Sequence, residues 1–337
     1  MVRITLFTAS TWATVYNRNF ADRHLITQKA LLKMPNKDLF FKLMNVYGAH
    51  DPTGIIQTHI PGVRFFWSSE YVQKAPLPCS MGLVLLGQGH KIGYLDGSVF
   101  KYDADHYLIS NVPVTYECET FASGASPVMG ITIDIDIARH YPIIQKIKEN
   151  VDMTCAEPSL SYAGIKPVKL SEEMQRATSK LLKCLQTKLD CSVLGEAAVD
   201  EVVYRALLGD LGNPIFAITD STSNYCKIVT ALNYIQNNYK SSLSVDELAK
   251  KANMSSSSFY RVFKQSTGYT PLQYIKNLRL HQARYLIVRD GFRISQAACM
   301  VGYESVSQFS REFKRYFSIP PSEAHTGAYS KMFNLKA

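Results

Sequence analysis

The stretch RVFKQSTGYTP at residues 261–271 returns in altered form as REFKRYFSIPP at residues 311–321. Both copies spell Arg-x-Phe-Lys, and both place a proline seven residues after the lysine, at an offset of fifty. The surrounding segments SLSVDELAKKANMSSSSFYRVFK and RISQAACMVGYESVSQFSREFK align with each other, apart from one residue inserted near the turn of the second copy. A repeat of this length indicates that one small structural unit occurs twice in the chain.

Each copy predicts two helices joined by a tight turn. Ser244 is placed to cap the first helix of the first copy, and Ser255 is placed to cap the second. Between the helices, Asn253 of the first copy corresponds to Gly302 of the second, and these are residue types that adopt positive φ easily. The sequence therefore predicts one helix-turn-helix unit at about 244–267 and another at about 294–317.

The second helix of each unit has two contrasting faces on a helical wheel. Phe259 and Phe263, and equally Phe309 and Phe313, form a buried stripe. A repeat kept for packing alone would not need matching cationic residues opposite that stripe. The opposite face nevertheless carries Ser, Arg and Lys in both copies, which are donors suited to base edges and phosphates in a major groove. These residues are Ser257, Arg261 and Lys264 in the first copy, and Ser307, Arg311 and Lys314 in the second.

A single long helix is predicted to connect the two units. Thr270 and Pro271 form a helix start, and the periodic pattern continues to about Arg289. About eighteen residues at 1.5 Å each give a rod of about 27 Å. That length suits two recognition helices placed about 34 Å apart, in successive major grooves on one face of DNA. We therefore expect one chain to read two adjacent grooves of a non-palindromic half-site.

The charge distribution supports a polyanionic partner for the last third of the chain. Residues 222–337 contain 16 Lys and Arg against 6 Asp and Glu, whereas residues 1–221 contain 21 against 22. No apolar run is long enough for a membrane span, and the N-terminus lacks the pattern of a secretory signal. The seven cysteines include no C-x-x-C pair. We expect a cytoplasmic protein with reduced thiols and no membrane partner.

The first two thirds of the chain predict β-structure followed by helices. Short apolar runs separated by turn clusters fill residues 53–135, which favours a barrel or a sandwich. Helices are expected at about 27–34 and 38–44, outside this β-structure, and again from residue 137 onwards. A helical hairpin is predicted at about 171–208, with a second helix over 194–208 that forms either a lid on the barrel or a dimer seam.

The C-terminal residues resemble the AraC/XylS family of bacterial transcription regulators. The resemblance rests on Leu248-Ala249, RLHQARYLI (279–287), Val301-Gly302-Tyr303, the Phe309–Lys314 segment and Pro320-Pro321-Ser322. It implies direct contact with DNA from positions in both recognition helices. Together with the helical wheel it predicts an interface of Ser256, Ser257, Tyr260, Arg261, Lys264, Val306, Ser307, Gln308, Arg311 and Lys314. Gln296-Ala297-Ala298 departs from the usual Glu-Ile-Ala, which puts tight packing of the second unit in doubt.

Residues 77–117 and 195–212 also resemble a sensor type of this family, a cupin-like β-barrel followed by a helical segment. The resemblance implies an α+β fold, with a cupin-like N-terminal barrel and flanking helices, then an all-α C-terminal domain. The predicted organisation is an effector-sensing or dimerisation domain at 1–208, a linker at 209–223 and a DNA-binding domain at 224–337. The implied function is a one-component activator that responds to a small molecule, with double-stranded DNA, RNA polymerase and a second copy of the chain as partners.

Other functions fit the sequence less well. A cupin-type metalloenzyme needs clustered ligands, whereas His59, His90 and His106 are isolated in the sequence. No G-x-S-x-G motif occurs, and no cysteine cluster near the N-terminus suggests an alkyl acceptor. We therefore expect no enzymatic activity, no metal and no cofactor. A regulator without an effector, whose barrel serves dimerisation or polymerase contact, stays open, and the sequence assigns no ligand-binding residue.

Overall fold

The computed structural model of the protein describes residues 36–150, 164–209 and 223–324. The helix predicted at about 27–34 lies outside these residues. So do the interior of the predicted linker, at 210–222, and the last residues of the predicted DNA-binding domain, at 325–337.

The N-terminal half contains two antiparallel β-sheets. In the described residues the strands are Thr53–Gln57 (β1), Val63–Ser68 (β2), Val72–Cys79 (β3), Gly82–Gln88 (β4), His90–Leu95 (β5), Ser98–Asp103 (β6), His106–Ser110 (β7), Val114–Phe121 (β8), Val128–Asp134 (β9) and Ile165–Lys169 (β10). One sheet has six strands in the order β1-β2-β9-β4-β7-β10, and the other has four in the order β3-β8-β5-β6. Phe66 and Leu86 from the first sheet pack against Tyr102 and Tyr116 from the second.

Strands β1, β3 and β10 lie at edges of the two sheets. Pro76 and Pro78 interrupt the apolar pattern of β3, and Pro167 interrupts that of β10. Proline is tolerated at an edge because no neighbouring strand requires its missing N–H. The expectation of a purely helical pattern after residue 137 is therefore wrong at β10.

Helices cover the outer face of the six-stranded sheet. They are Lys37–Val46 (α1), Ile137–Asn150 (α2), Glu172–Cys184 (α3) and Lys188–Leu208 (α4). Ser171 caps α3, because its side chain accepts from the Met174 N–H at 3.1 Å. The start of α4 at Lys188 corrects the predicted start at 194. Leu189 and Val193 are apolar but exposed to solvent. The apolar residues at the start of α4 therefore do not fall on one buried face, and the sequence pattern does not mark the helix start.

The C-terminal half is helical throughout the described residues. Its helices are Asn224–Asn238 (α5), Val245–Lys251 (α6), Ser256–Thr267 (α7), Pro271–Val288 (α8), Ile294–Met300 (α9) and Val306–Phe317 (α10). In the turns between α6 and α7 and between α9 and α10, Asn253 has φ of +51° and Gly302 has φ of +91°. The predicted positive φ at both turns is confirmed. The α+β fold is confirmed as well.

The two helix-turn-helix units are built into different cores. One cluster of buried side chains extends from the helices on the sandwich, through Tyr225 and Ile228 of α5, to Phe259 and Phe263 of α7. The second unit packs around a separate cluster that contains Phe309 and other side chains of α8, α9 and α10. The first unit therefore shares its core with the N-terminal half, whereas the second relies on the connecting helix α8.

Arg279 of α8 donates to three backbone carbonyls in two separate segments. Its guanidinium donates to the carbonyl oxygens of Tyr239 at 2.7 Å, Ser241 at 2.8 Å and Gly302 at 3.0 Å. Tyr239 and Ser241 follow α5 and lead into the first unit, whereas Gly302 lies in the turn of the second. Hydrogen bonds from a charged donor are stronger than neutral ones. One side chain therefore fixes the position of both units relative to α8.

Gly302 is required at this junction by both conformation and space. A Cβ at this position would lie 2.2 Å from the Lys240 carbonyl oxygen and 3.2 Å from Cζ of Arg279. We expect Gly302→Ala to lower the free energy of unfolding by about 3 kcal/mol, because it adds a clash to the strain of a left-handed backbone. Urea unfolding of the purified protein measures this loss.

Gly291→Ala is the matched control for Gly302→Ala. Gly291 also has positive φ, at +68°, but a Cβ there meets no atom of the described part of the chain within 4 Å. This variant should carry only the conformational penalty of about 1 kcal/mol. Equal losses in the two variants would contradict the close packing assigned to Gly302.

Protonation of His281 should weaken the packing of α10 on α8. The His281 ring lies edge to face with Tyr316 and Phe317, and Nε2 is 3.1 Å from the Tyr316 hydroxyl. Burial, followed by the charge of Arg284, lowers the pKa of His281 from 6.5 to about 3. The unfolded chain therefore binds a proton below pH 6.5 that the folded chain refuses until about pH 3, so stability falls as the pH falls through this window.

We expect the wild type to lose about 1–2 kcal/mol of unfolding free energy between pH 7 and pH 5 through this residue. His281→Gln, which keeps a polar group beside Tyr316, should remove that part of the loss. His50→Gln, at an exposed position, is the control. Urea titrations at both pH values measure the difference, and an identical pH dependence in wild type and His281→Gln would refute the assignment.

Candidate DNA interface and interior cavity

The first recognition helix, α7, presents all five of its predicted contact residues to solvent. Ser255 caps the helix by accepting from the Ser258 N–H at 3.3 Å. Phe259, Val262 and Phe263 anchor the opposite face in the core. The exposed residues are Ser256, Ser257, Tyr260, Arg261 and Lys264. Contact of these residues with DNA remains a prediction.

Two of these side chains make local contacts. The Ser256 hydroxyl donates to Oδ1 of Asp246 at 2.5 Å, which ties the start of α7 to α6. The Arg261 guanidinium lies 3.5 Å from Oε1 of Gln265, one turn further along the helix. Ser256 is therefore engaged in holding the turn, whereas Arg261 keeps most of its donors for a ligand.

The second recognition helix, α10, repeats this arrangement. Ser305 caps it by accepting from the Gln308 N–H at 3.2 Å, and Phe309, Phe313 and Phe317 face the core. The predicted contact residues are all exposed: Val306, Ser307, Gln308, Arg311 and Lys314. Val306 is an apolar side chain in the open, which suits contact with a thymine methyl group.

Glu312 of α10 accepts hydrogen bonds from three neighbouring side chains, and it was not identified from the sequence. Its Oε1 accepts from Nζ of Lys276 at 3.1 Å and from Nε2 of Gln308 at 3.2 Å. Its Oε2 accepts from the hydroxyl of Tyr303 at 2.9 Å. Burial raises the pKa of Glu312, but the hydrogen bonds from Tyr303, Gln308 and Lys276 outweigh it and the net pKa is lowered. The spacing of four residues from Gln308 was the available signal.

A cavity of about 880 Å³ lies between the two sheets and reaches the connecting helix α8. Its wall is mainly apolar and aromatic, as in many sites for small organic molecules. The polar or titratable residues in the described part of its wall include Arg64, Lys91, Tyr102, Tyr116, Asp134, Tyr274, Asn277, His281 and Arg284. The first five belong to the sandwich and the last four to α8, so both halves of the protein form this space.

Lys91 is the most unusual side chain in the cavity. It is 3% exposed, its Nζ lies 4.5 Å from the centroid of the Phe66 ring, and no ion pair joins it to a carboxylate among the described residues. Burial lowers the pKa of Lys91 below its usual value. Its neighbours on the adjacent strands are Tyr102 and Thr120. A buried amine without an acidic partner is costly unless a ligand supplies one.

Other polar groups in the cavity are unequally satisfied. Asp134, the acidic residue in the described part of the wall, is paired with Arg64 at 2.5 Å. The hydroxyls of Tyr102 and Tyr116 lie 2.9 Å apart and bond to each other. Asn277 is 2% exposed, and its Nδ2 has no hydrogen-bond partner among the described residues, although its Oδ1 accepts from Gln273. The cavity therefore offers hydrogen-bond donors from the sandwich, at Lys91, and from α8, at Asn277.

The three histidines considered as metal ligands lie in separate environments. The His59 ring packs near Tyr47, the His90 ring stacks on Phe121, and Nδ1 of His106 is 2.8 Å from Oδ1 of Asp103. Within the described residues, no group of three His, Cys, Asp or Glu side chains is arranged to hold a metal ion. Among the described helices, none combines the length and the apolar character that crossing a membrane requires.

The comparison with protein families matches both halves of the chain. Residues 59–214 match the family described as the AraC-type transcriptional regulator N-terminus, and residues 248–326 match a helix-turn-helix domain. The first match begins after β1 and covers the rest of the described sandwich, and the second covers the pair of recognition units.

Curated relatives resemble part of this chain. The lactose operon transcription activator of Staphylococcus xylosus is 32% identical over 93 residues, which are 28% of this chain and 33% of the relative. The transcriptional activator RhaS of Pectobacterium carotovorum is 28% identical over 134 residues, or 40% of this chain and 48% of RhaS. The matched segments therefore span between a third and a half of these relatives.

Among solved structures, the fold is similar to that of ToxT from Vibrio cholerae, crystallised with an unsaturated fatty acid bound. The TM-score is 0.56 at 13% identity, and the match covers 84% of this chain and 97% of ToxT. At this identity the similarity concerns the fold. The two family matches, one to the AraC-type N-terminus and one to the paired recognition units, together support an AraC/XylS family transcription regulator.

Proposed function

We propose that the protein is a sequence-specific DNA-binding transcription activator that responds to a small molecule. One observation carries the proposal: α7 and α10 expose matching cationic faces and are held by one connecting helix. Arg and Lys on such faces bind phosphates and read base edges, and two helices on one rod reach successive major grooves. Enzymatic activity is not part of this proposal.

The domain organisation is proposed on the same basis. Residues 1–208 sense the effector and mediate dimerisation, residues 209–223 link the domains, and residues 224–337 bind DNA. The apolar side chains of Leu189, Val193 and Leu194 on α4 are exposed, which favours a surface for a second copy of the chain. A contact with RNA polymerase follows from the proposed role as an activator.

The cavity beside Lys91 is the proposed effector site. Its wall carries Lys91, Arg64 and Arg284 against one carboxylate, Asp134, among the described residues, so the site favours an anionic ligand with an apolar body. ToxT, which shares this fold, has been crystallised with an unsaturated fatty acid. We therefore propose that an organic acid places its carboxylate at Lys91 and its apolar part between the sheets.

Effector binding is proposed to reach DNA through α8. This helix forms one wall of the cavity through Tyr274, Asn277 and His281, and it carries Arg279 and Lys276, which hold the recognition units. The Tyr274 hydroxyl also donates to the Pro113 carbonyl of the sandwich at 3.1 Å. A ligand that shifts α8 against the sandwich therefore shifts the second unit with it.

Selection of bound DNA from a random pool tests the DNA-binding function. We expect the full chain to enrich a sequence long enough for two major grooves. Arg261→Ala and Arg311→Ala should each weaken binding by about 1–3 kcal/mol and relax preference at one base pair. Measurement requires competition binding at a fixed salt concentration, because phosphate contacts make affinity salt-dependent.

Arg176→Ala is the control, since Arg176 is exposed on α3 and pairs with Glu173. It should leave affinity and preference unchanged. If Arg261→Ala and Arg311→Ala behaved like this control, the recognition faces assigned to α7 and α10 would be wrong.

Ligand binding at Lys91 is testable by thermal unfolding with palmitoleic acid below its micelle concentration. We expect the acid to raise the unfolding temperature of the wild type, and Lys91→Met to weaken its binding at least about tenfold, because the charged partner is lost. Palmitoleyl alcohol, with the same chain and no charge, should not distinguish the two proteins.

Lys101→Met serves as the control variant, because Lys101 lies on the neighbouring strand β6 and is exposed. Equal stabilisation of the wild type and Lys91→Met by the acid would place the acid elsewhere.

A further inference from the structure

We propose that Glu312 fixes the amide of Gln308 in the orientation that reads adenine, which makes Gln308 a specificity-determining residue and Glu312 its positioning residue. This inference rests on the proposed DNA-binding function. It goes beyond that function, because it assigns a base to one position of the binding site.

The carboxylate of Glu312 accepts hydrogen bonds and is held in the ionised form. Three donors converge on its carboxylate, from Lys276, Tyr303 and Gln308, and its side chain is 13% exposed. The lowered pKa keeps this carboxylate ionised at neutral pH. An ionised carboxylate accepts hydrogen bonds and donates none. The partner atom of Gln308 must therefore be Nε2, and the opposite orientation would bring two acceptors together.

The Gln308 amide keeps one donor and one acceptor beside its bond to Glu312. Nε2 has two hydrogens, and one is directed to Oε1 of Glu312 at 3.2 Å. The second hydrogen and Oε1 of Gln308 are left for a ligand, and the side chain is exposed on α10. The backbone of Gln308 is also held, because its N–H donates to Ser305 at the helix cap. The residue offers one acceptor and one donor, side by side and at a fixed place.

This pair of donor and acceptor is complementary to adenine. In the major groove adenine presents the N6 donor and the N7 acceptor, which together fit the acceptor and donor of a glutamine amide. Guanine presents two acceptors, so its O6 would oppose Oε1 of Gln308. Cytosine offers a donor alone, and thymine offers an acceptor beside a methyl group. Adenine is the base that satisfies both free positions.

Glu312 fixes the orientation of the Gln308 amide before DNA binds. A free glutamine side chain loses rotational freedom on binding and can turn its amide over. In this protein Lys276 of α8 and Tyr303 hold Glu312 from two further directions, so the amide of Gln308 rests on an already fixed group. Preorganisation of this kind sharpens discrimination.

The test measures base preference with the full chain. Random-pool selection gives the binding sequence. Each base pair in the part of that sequence assigned to the second helix-turn-helix unit is then varied in competition binding. We expect one position at which adenine is preferred about tenfold, the size of a good two-bond contact. Gln308→Ala should abolish that preference. Glu312→Gln, which is close in shape but can also donate, should reduce it to about threefold or less.

Two controls separate positioning from folding. Lys276→Met and Tyr303→Phe each remove one other partner of Glu312 and leave Gln308 untouched. Either variant should preserve most of the adenine preference, even where overall affinity falls. In the double variant Gln308→Ala with Glu312→Gln, the second substitution should change preference at that position no further, because it acts through the first.

The inference is overturned if Gln308→Ala changes no position, if the responsive position prefers another base, or if Glu312→Gln weakens all sequences equally and keeps the preference. A selection that enriches no sequence would instead overturn the proposed DNA-binding function, and this inference with it. A selected sequence that is indifferent to Gln308 overturns the inference alone.

Discussion

The bonds from Arg279 to three carbonyl oxygens are the constraint on which the DNA-binding half depends. Carbonyls near helix ends lack partners within the helix, and here one guanidinium satisfies them in two separate segments. The approach is close enough that the turn of the second unit accepts only Gly302. A side chain of the connecting helix therefore ties the turn of the second unit to the segment that leads into the first.

Much of this half could be predicted from the sequence, because its determinants are local. The caps at Ser244 and Ser255, the positive φ at Asn253 and Gly302, and the contrasting faces of α7 and α10 all follow from neighbours within one or two helical turns. Periodicity and capping are strong signals over such distances. The assignment of particular residues to bases had no equivalent local determinant and stays a prediction.

The parts that could not be predicted depend on contacts between distant residues. Arg279 reaches carbonyls 23 to 40 residues away, and Lys276 reaches Glu312 across 36 residues. The cavity joins strands of both sheets to α8, so its wall is defined only after the sandwich has formed. Lys91 lies in the strand HKIGYL, whose alternating pattern predicts that every second residue faces inward. That pattern does not show that the amine of Lys91 becomes enclosed in a cavity. The sequence offers no measure of which polar residues become enclosed.

The two helix-turn-helix units pack into different cores, so their structural support differs although their sequences match. The first unit is continuous with the helices that cover the sandwich, whereas the second is supported by its own smaller cluster around α8. Cooperative units of different size open with different free energies. On warming, the second helix-turn-helix unit should therefore unfold while the first stays folded with the sandwich. The protein would then bind DNA through the first unit alone, with little sequence discrimination. Natural selection for strong and sequence-specific DNA binding would then act on the small cluster behind α10 rather than on the large core.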